Sequence, residues 1–222
     1  MKLPPCFFVA LLCSAAYLKA DLVIVQKVEG AGQAGEQTIR IKGDKARTDL
    51  AQPVSTLTDG ATGDSVTLMH AQKSFIKVSA AQSKAMIEQV QKLRGANAEP
   101  PKLQDTGKKE KIGAYDCGIF TANLGFVNIT YWIARDFPNY KGIAAQMEKV
   151  QAGSVSAMSK GVMPELKDFP GMAVKTVMDL NGQKISVTVL SVKEEPLDPS
   201  IFTVPNSYKE ITAPDLDLHP SK

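Results

Sequence analysis

Few residues in this chain have types and spacings that could do chemistry. The 222 residues hold two histidines, three cysteines and one tryptophan. Gly30-Ala31-Gly32-Gln33-Ala34-Gly35 has the G-x-G-x-x-G spacing of a pyrophosphate cradle. That cradle works only when a helix N-terminus comes directly after it. Here the next segment is Thr38-Ile39-Arg40-Ile41, with the period of a strand, so the glycines are read as a hairpin. Cys117 and His70 could form a thiol–imidazole pair. No third orienting group accompanies them, and a cysteine beside Ile119 and Phe120 reads as a small packing residue. Asp215, Asp217 and His219 alternate and would face one way on an extended chain, as divalent-metal ligands could. They stand in a terminal stretch whose ordering costs entropy, so no metal is expected. Glu194, Glu195, Asp198 and the Lys108-Lys109-Glu110-Lys111 cluster read as solvated charges. No nucleophile-elbow motif is present. The expectation is a protein with no catalytic residues and no cofactor, not an enzyme.

Binding is the chemistry left. In the segment 127–134, Val127, Ile129, Tyr131 and Ile133 share one strand face, and Asn128, Thr130, Trp132 and Ala134 share the other. Trp132 can floor a binding surface or cover a loop. The helix methionines can adapt to a variable ligand or fill an ordinary core. Trp132, Tyr131, Met86, Met147 and Ile143 are the candidate lining of an apolar site.

These residues must be positioned by strands and two helical regions. Strand character is predicted at 22–29, 37–42, 45–50, 66–69, 75–78, 109–112, 115–123, 127–134, 172–180 and 184–192. A helix is predicted over 79–94, capped by Ser79 and ended by Gly95. A second comes after Phe137-Pro138-Asn139, with Tyr140, Ile143, Met147 and Val150 on one face and a broken continuation over 154–163. Asn181-Gly182 is a strong hairpin signal. The stretch 198–205 reads as a segment docked at an edge. Hairpins, helix, hairpins, helices and a final hairpin exclude a doubly wound parallel sheet and predict an α+β fold on an antiparallel sheet. Residues 21–212 are read as one domain and 213–222 as a flexible tail.

The first twenty residues read as an export signal. Lys2 is succeeded by a short apolar run, and Ala20 offers a small residue at the exit. Cys13 has Leu12 before it, a poor setting for lipid attachment. Removal of 1–20 takes Cys6 and Cys13 with it and leaves Cys117 as the one cysteine. The formal charge of +3 then falls to about +1, which argues against a nucleic-acid partner. No other apolar run is long enough to span a bilayer. The expected location is exported, periplasmic or extracellular. Asn128-Ile129-Thr130 matches a glycosylation triplet, lies mid-strand and is read as chance.

The order of several short motifs resembles a family. They are Val25-Gln26-Lys27-Val28-Glu29-Gly30, Ile41-Lys42-Gly43-Asp44-Lys45-Ala46-Arg47-Thr48-Asp49, and 107–117 from Gly107-Lys108-Lys109 to Tyr115-Asp116-Cys117. Thr130-Tyr131-Trp132-Ile133-Ala134 and 198–210, opening Asp198-Pro199-Ser200-Ile201-Phe202, complete the set. The chain resembles exported bacterial proteins of the domain of unknown function 4412 family, similar in turn to the periplasmic lipoprotein-carrier superfold. That resemblance implies a curved antiparallel sheet, a half-barrel with helices covering its concave face and an apolar cavity beneath them. It carries over no ligand residues. The function expected is a non-catalytic envelope protein that binds or carries a lipid or other apolar ligand in the concavity. The alternative is an interaction or scaffold module for another envelope protein, with no small ligand.

Overall fold

The computed structural model describes residues 21–30, 32–50, 53–94, 101–125, 127–151 and 164–212. The expected signal 1–20, the helix continuation 154–163 and the tail 213–222 with Asp215, Asp217 and His219 lie outside the described residues. In chain order the elements are β1 (Leu22–Gly30), β2 (Gln33–Lys42), β3 (Lys45–Asp49), β4 (Val54–Asp59), β5 (Ser65–Met69), β6 (Ser74–Val78) and α1 (Ala80–Arg94). Then come β7 (Gln104–Ile112), β8 (Tyr115–Asn123), β9 (Asn128–Ala134), α2 (Tyr140–Gln151), β10 (Met172–Leu180), β11 (Gln183–Glu194) and β12 (Lys209–Glu210). Single 3-10 turns stand at Leu166–Asp168 and Pro199–Phe202.

All twelve strands among the described residues join one sheet, in the order β12-β6-β5-β4-β3-β2-β1-β11-β10-β9-β8-β7. Every pairing is antiparallel except β12 with β6. Turn chemistry explains the hairpins. Asn181 and Gly182 have φ of 52° and 88°, the two left-handed positions of a type I′ turn. Gly30 has φ of 115°, and a Cβ there would meet the Lys184 carbonyl oxygen at 1.9 Å. The glycine-rich run is therefore part of the β1–β2 hairpin, with Gly30 facing Gln33 and its backbone pressed on β11.

Two differences from the sequence reading have physical causes. Strand β7 begins at Gln104, five residues before the expected start at 109. Residues 104–111 are all exposed, so no apolar alternation marks them. As an edge strand, β7 is protected by lysines and by a bulge that sets 106–108 against a single residue of β8. The expected docked segment 198–205 forms a 3-10 turn, in which the Asp198 carboxylate accepts the Ser200 N–H and Phe202 is buried. Arg47 Nη1 donates to the Ile201 carbonyl at 3.0 Å, tying this turn to β3.

The sheet carries a buried cluster on each face. One gathers Leu22, Ile24, Ile41, Ala46, Cys117, Ala134, Met172 and Val174 with Phe137 and Ile143. Tyr140, Met147 and Val150 pack against it, so the i, i+4, i+7 stripe of α2 faces the sheet. Gly60, in the β4–β5 turn, lies under the far end of α2, where a Cβ would meet the Lys149 carbonyl oxygen at 2.2 Å. The twelve residues of α2 rise about 18 Å, the width of four inter-strand spacings of ~4.8 Å. That is the span from β11 across β1, β2 and β3 to β4. The other cluster holds Phe120, Ala122, Leu124, Ile129, Tyr131 and Ile133, closed by Leu103, Val127 and Phe169. Among the described residues α1 contributes to neither cluster. The helix cover seen over the sheet is thus α2. The start of α1 is held by a reciprocal Ser79–Gln82 capping box, the Ala80 N–H donates to the Asp64 carboxylate, and Ser83 is buried.

Candidate functional site

A pocket of mixed polar and apolar lining lies where α2 begins. Its volume is about 240 Å³. Tyr115, Phe137, Pro138 and Ile143 form one side and Val189, Leu190 and Val192 of β11 the other, with Asn139, Ser191 and Glu194 as its polar members. The strand wall exists because β11 carries an extra residue. Val25 faces Ser191 while Gln26 faces Val189, which leaves Leu190 unpaired in a bulge. Leu190 is 49% exposed, unusual for a leucine at the centre of a strand. In the opposite wall the Tyr115 and Phe137 rings pack at a tilt of 33°, 4.9 Å between centroids, and Ile143 is 2% exposed.

The polar end is set by a chain of three residues. Asn139 has φ of 51°, and its carbonyl accepts the Ile143 N–H as the first bond of α2. Its Nδ2 donates to Glu194 Oε1. A Cβ on Gly142 would meet Asn139 Oδ1 at 2.5 Å. Glycine at 142 leaves room for the Asn139 amide over the first turn, and that amide holds the Glu194 carboxylate beside the pocket.

The residues proposed from sequence do not converge. Ile143 lines the pocket. Met147 and Trp132 pack on the same face of the sheet, in the α2 cluster, without lining the pocket. Trp132 is occupied on its own: Nε1 donates to Glu110 Oε2 at 2.6 Å and Lys175 Nζ stands 4.7 Å from the ring centroid. Tyr131 is on the opposite face, because neighbours on a strand alternate. It packs edge-on against Phe169, and burial pushes its phenol up to about 12. Tyr131 and Trp132 therefore cannot line one site. Met86 is half-buried on α1 and belongs to neither cluster. The pocket residues that sequence reasoning missed left one trace. The alternation Val187, Val189 slips to Leu190, Val192, a phase break that marks a bulge.

Cys117 and His70 are far apart, on β8 and in the β5–β6 turn, with seven strands between β8 and β5 in the sheet. Cys117 is 1% exposed, and burial, aided by Asp116, Asp136 and Glu110, raises its thiol. His70 instead meets Ser55, with Nε2 2.7 Å from Oγ, and Tyr208, with Nδ1 2.6 Å from the hydroxyl. This has the outline of a nucleophile–base pair, and its protons run the wrong way for one. The Ser55 hydroxyl donates to the Asp49 carboxylate and accepts from Arg47. With that proton on Asp49, Ser55 has none to give, so His70 Nε2 is the donor to Ser55 rather than a base for it. Ser55 is 2% exposed, closed to any substrate. The network is a half-buried strut that fastens the C-terminal segment to β4 and the end of β5.

A larger cleft of about 340 Å³ beside the β7–β8 hairpin mixes Lys108, Lys109 and Arg135 with Asp105, Asp116 and Asp136. Arg135 pairs with Asp105 at 3.2 Å. Among the described residues no group of three or more His, Cys, Asp or Glu could hold a metal ion.

No curated protein matches the sequence. Similar solved structures include PNGF-II, at 15% identity and a TM-score of 0.42, over 87% of this chain and 31% of that one. The Mycobacterium tuberculosis lipoprotein LppX has 12% identity and a TM-score of 0.40, over 81% and 88%. A chain of the Pseudomonas aeruginosa MucA/MucB complex has 7% identity and a TM-score of 0.38, over 85% and 57%. The chain thus spans about a third of the PNGF-II chain. Overlap this loose carries nothing about ligand, activity or partner. The family model of the domain of unknown function DUF4412 matches residues 22–208, nearly all of the chain beyond the expected signal, and the chain belongs to that family.

Proposed function

We propose that this is an exported, non-catalytic envelope protein that binds an apolar ligand between α2 and β11. The observation that carries the reading is the pocket, with seven of its ten lining residues apolar and Leu190 displayed on a bulge. Sites for small ligands combine such walls with a few polar groups that fix orientation. Export rests on the pattern of residues 1–20. Among the described residues no helix is long and apolar enough to cross a membrane.

The size of the pocket shapes the reading. At about 240 Å³ it falls below the roughly 300–1,000 Å³ of most small-molecule sites. It takes one end of an acyl chain, or α2 moves to admit more. The same size favours a second reading, in which one or two apolar side chains of another envelope protein enter the pocket. Native mass spectrometry of the chain exported and purified without detergent, paired with organic extraction, separates the two. A stoichiometric lipid mass that disappears in Leu190→Asp, which puts a charge on the exposed pocket wall, supports the ligand reading. A clean apo mass, with an envelope protein captured by the wild type and lost in Leu190→Asp, replaces it with the interaction reading.

A further inference from the structure

We infer that Glu194 makes the α2–β11 pocket selective against anionic amphiphiles, so that its ligand is an apolar chain ending in an uncharged or cationic head. This rests on the pocket reading above and names the ligand class. Among the ten lining residues Glu194 is the only one charged at neutral pH, and none is a cation. Tyr115 is the one other ionisable group there. Asn139, the best placed side-chain donor, spends its Nδ2 on Glu194 Oε1. A carboxylate or phosphate head entering this pocket meets a like charge with no lysine or arginine among the lining residues to offset it. The start of α2 would ordinarily attract an anion, but the chain's own carboxylate already stands there, held by Asn139. Gly142 keeps that arrangement in place, since a side chain at 142 would push the Asn139 amide aside. A hydroxyl, amide N–H or ammonium head instead finds acceptors in Glu194 and Ser191 at the end of an apolar wall.

The test compares three ligands with one ten-carbon chain: decanol, decylammonium and decanoate. Each is titrated below its aggregation threshold into the mature exported chain by calorimetry. Decanol and decylammonium are expected to bind at least about tenfold more tightly than decanoate at low salt. The margin for decylammonium should shrink as salt screens the charge. In Glu194→Gln, which keeps a partner for Asn139, the decanoate-to-decanol affinity ratio should rise about tenfold. Equal binding of decanoate and decanol by the wild type overturns the inference and leaves the pocket reading standing. So does a ratio unchanged in Glu194→Gln. Failure of all three ligands, with a clean apo mass, overturns the pocket reading as well.

Discussion

At the scale of single residues, the charges that matter to the fold are those with several partners. Asp49 is the clearest. Burial alone would raise its carboxyl, but hydrogen bonds from Ser55 and Arg47 and the charges of Arg47 and Arg40 outweigh that and hold it below the usual 3.8. A depressed folded value means that the stabilisation is fully present above the unfolded value and is lost as pH falls through the folded one. Asp49 therefore stabilises the fold at neutral pH, and its contribution fades below about pH 4. Asp49→Asn should lower unfolding free energy by about 1–3 kcal/mol at pH 7. Urea unfolding should show the variant and the wild type converging by about pH 2, and a constant gap at all pH values would refute this assignment. The surface pairs, such as Lys27–Glu29 with both side chains half exposed, contribute little by comparison.

At the scale of elements, close backbone approaches decide which substitutions a hairpin tolerates. Gly30 and Gly32 lie in the same turn region, both with positive φ. A Cβ at Gly30 would collide with the Lys184 carbonyl at 1.9 Å, and backbone in a paired strand cannot step aside. At Gly32 nothing stands within 4 Å. Gly32→Ala should therefore cost only the conformational strain, about 1–2 kcal/mol, and Gly30→Ala clearly more, about 2–4 kcal/mol. Chemical denaturation of the two variants side by side checks the order. Equal losses would mean that the β1–β2 hairpin can shift away from β11. The helices divide in a similar way. The stripe of Ile143, Met147 and Val150 packs α2 onto the sheet, whereas Met86 of α1 joins neither buried cluster.

At the scale of the whole molecule, the sheet is built for two layers. Over β8, β9 and β10 both faces are buried, one under α2 and the segment leading into it, the other under Leu103 and Phe169. Cys117 reports on the first layer. It sits in the cluster beneath Phe137 and Ile143, and burial raises its thiol, which leaves little thiolate at neutral pH. In the mature chain Cys117 should resist a thiol reagent such as dithionitrobenzoate until α2 lifts. The labelling rate then measures the opening of the helix layer. Rapid labelling under native conditions would show that this layer is loose, as entry of a long acyl chain would require.

Much of this was legible in the residues. Asn181-Gly182 names its turn because only certain residues adopt left-handed φ at low cost. The α2 stripe comes from the 3.6-residue helical period, and the alternation in 127–134 already assigns Tyr131 and Trp132 to opposite faces. Family membership, too, could be read from the order of short motifs. The first half of strand β7, 104–108, could not, because an exposed edge has no apolar period to read. Nor could the pocket, whose walls come from β8, the lead-in to α2 and β11, up to some eighty residues apart in the chain. The union of Asp49, Ser55, His70 and Tyr208 is equally invisible, since Tyr208 lies 138 residues from His70. Local chemistry determines turns, caps and faces because those interactions act within a few residues. Which distant side chains share a cavity depends on strand order, which brings β11 beside β1 and under the start of α2, and that only the folded sheet decides.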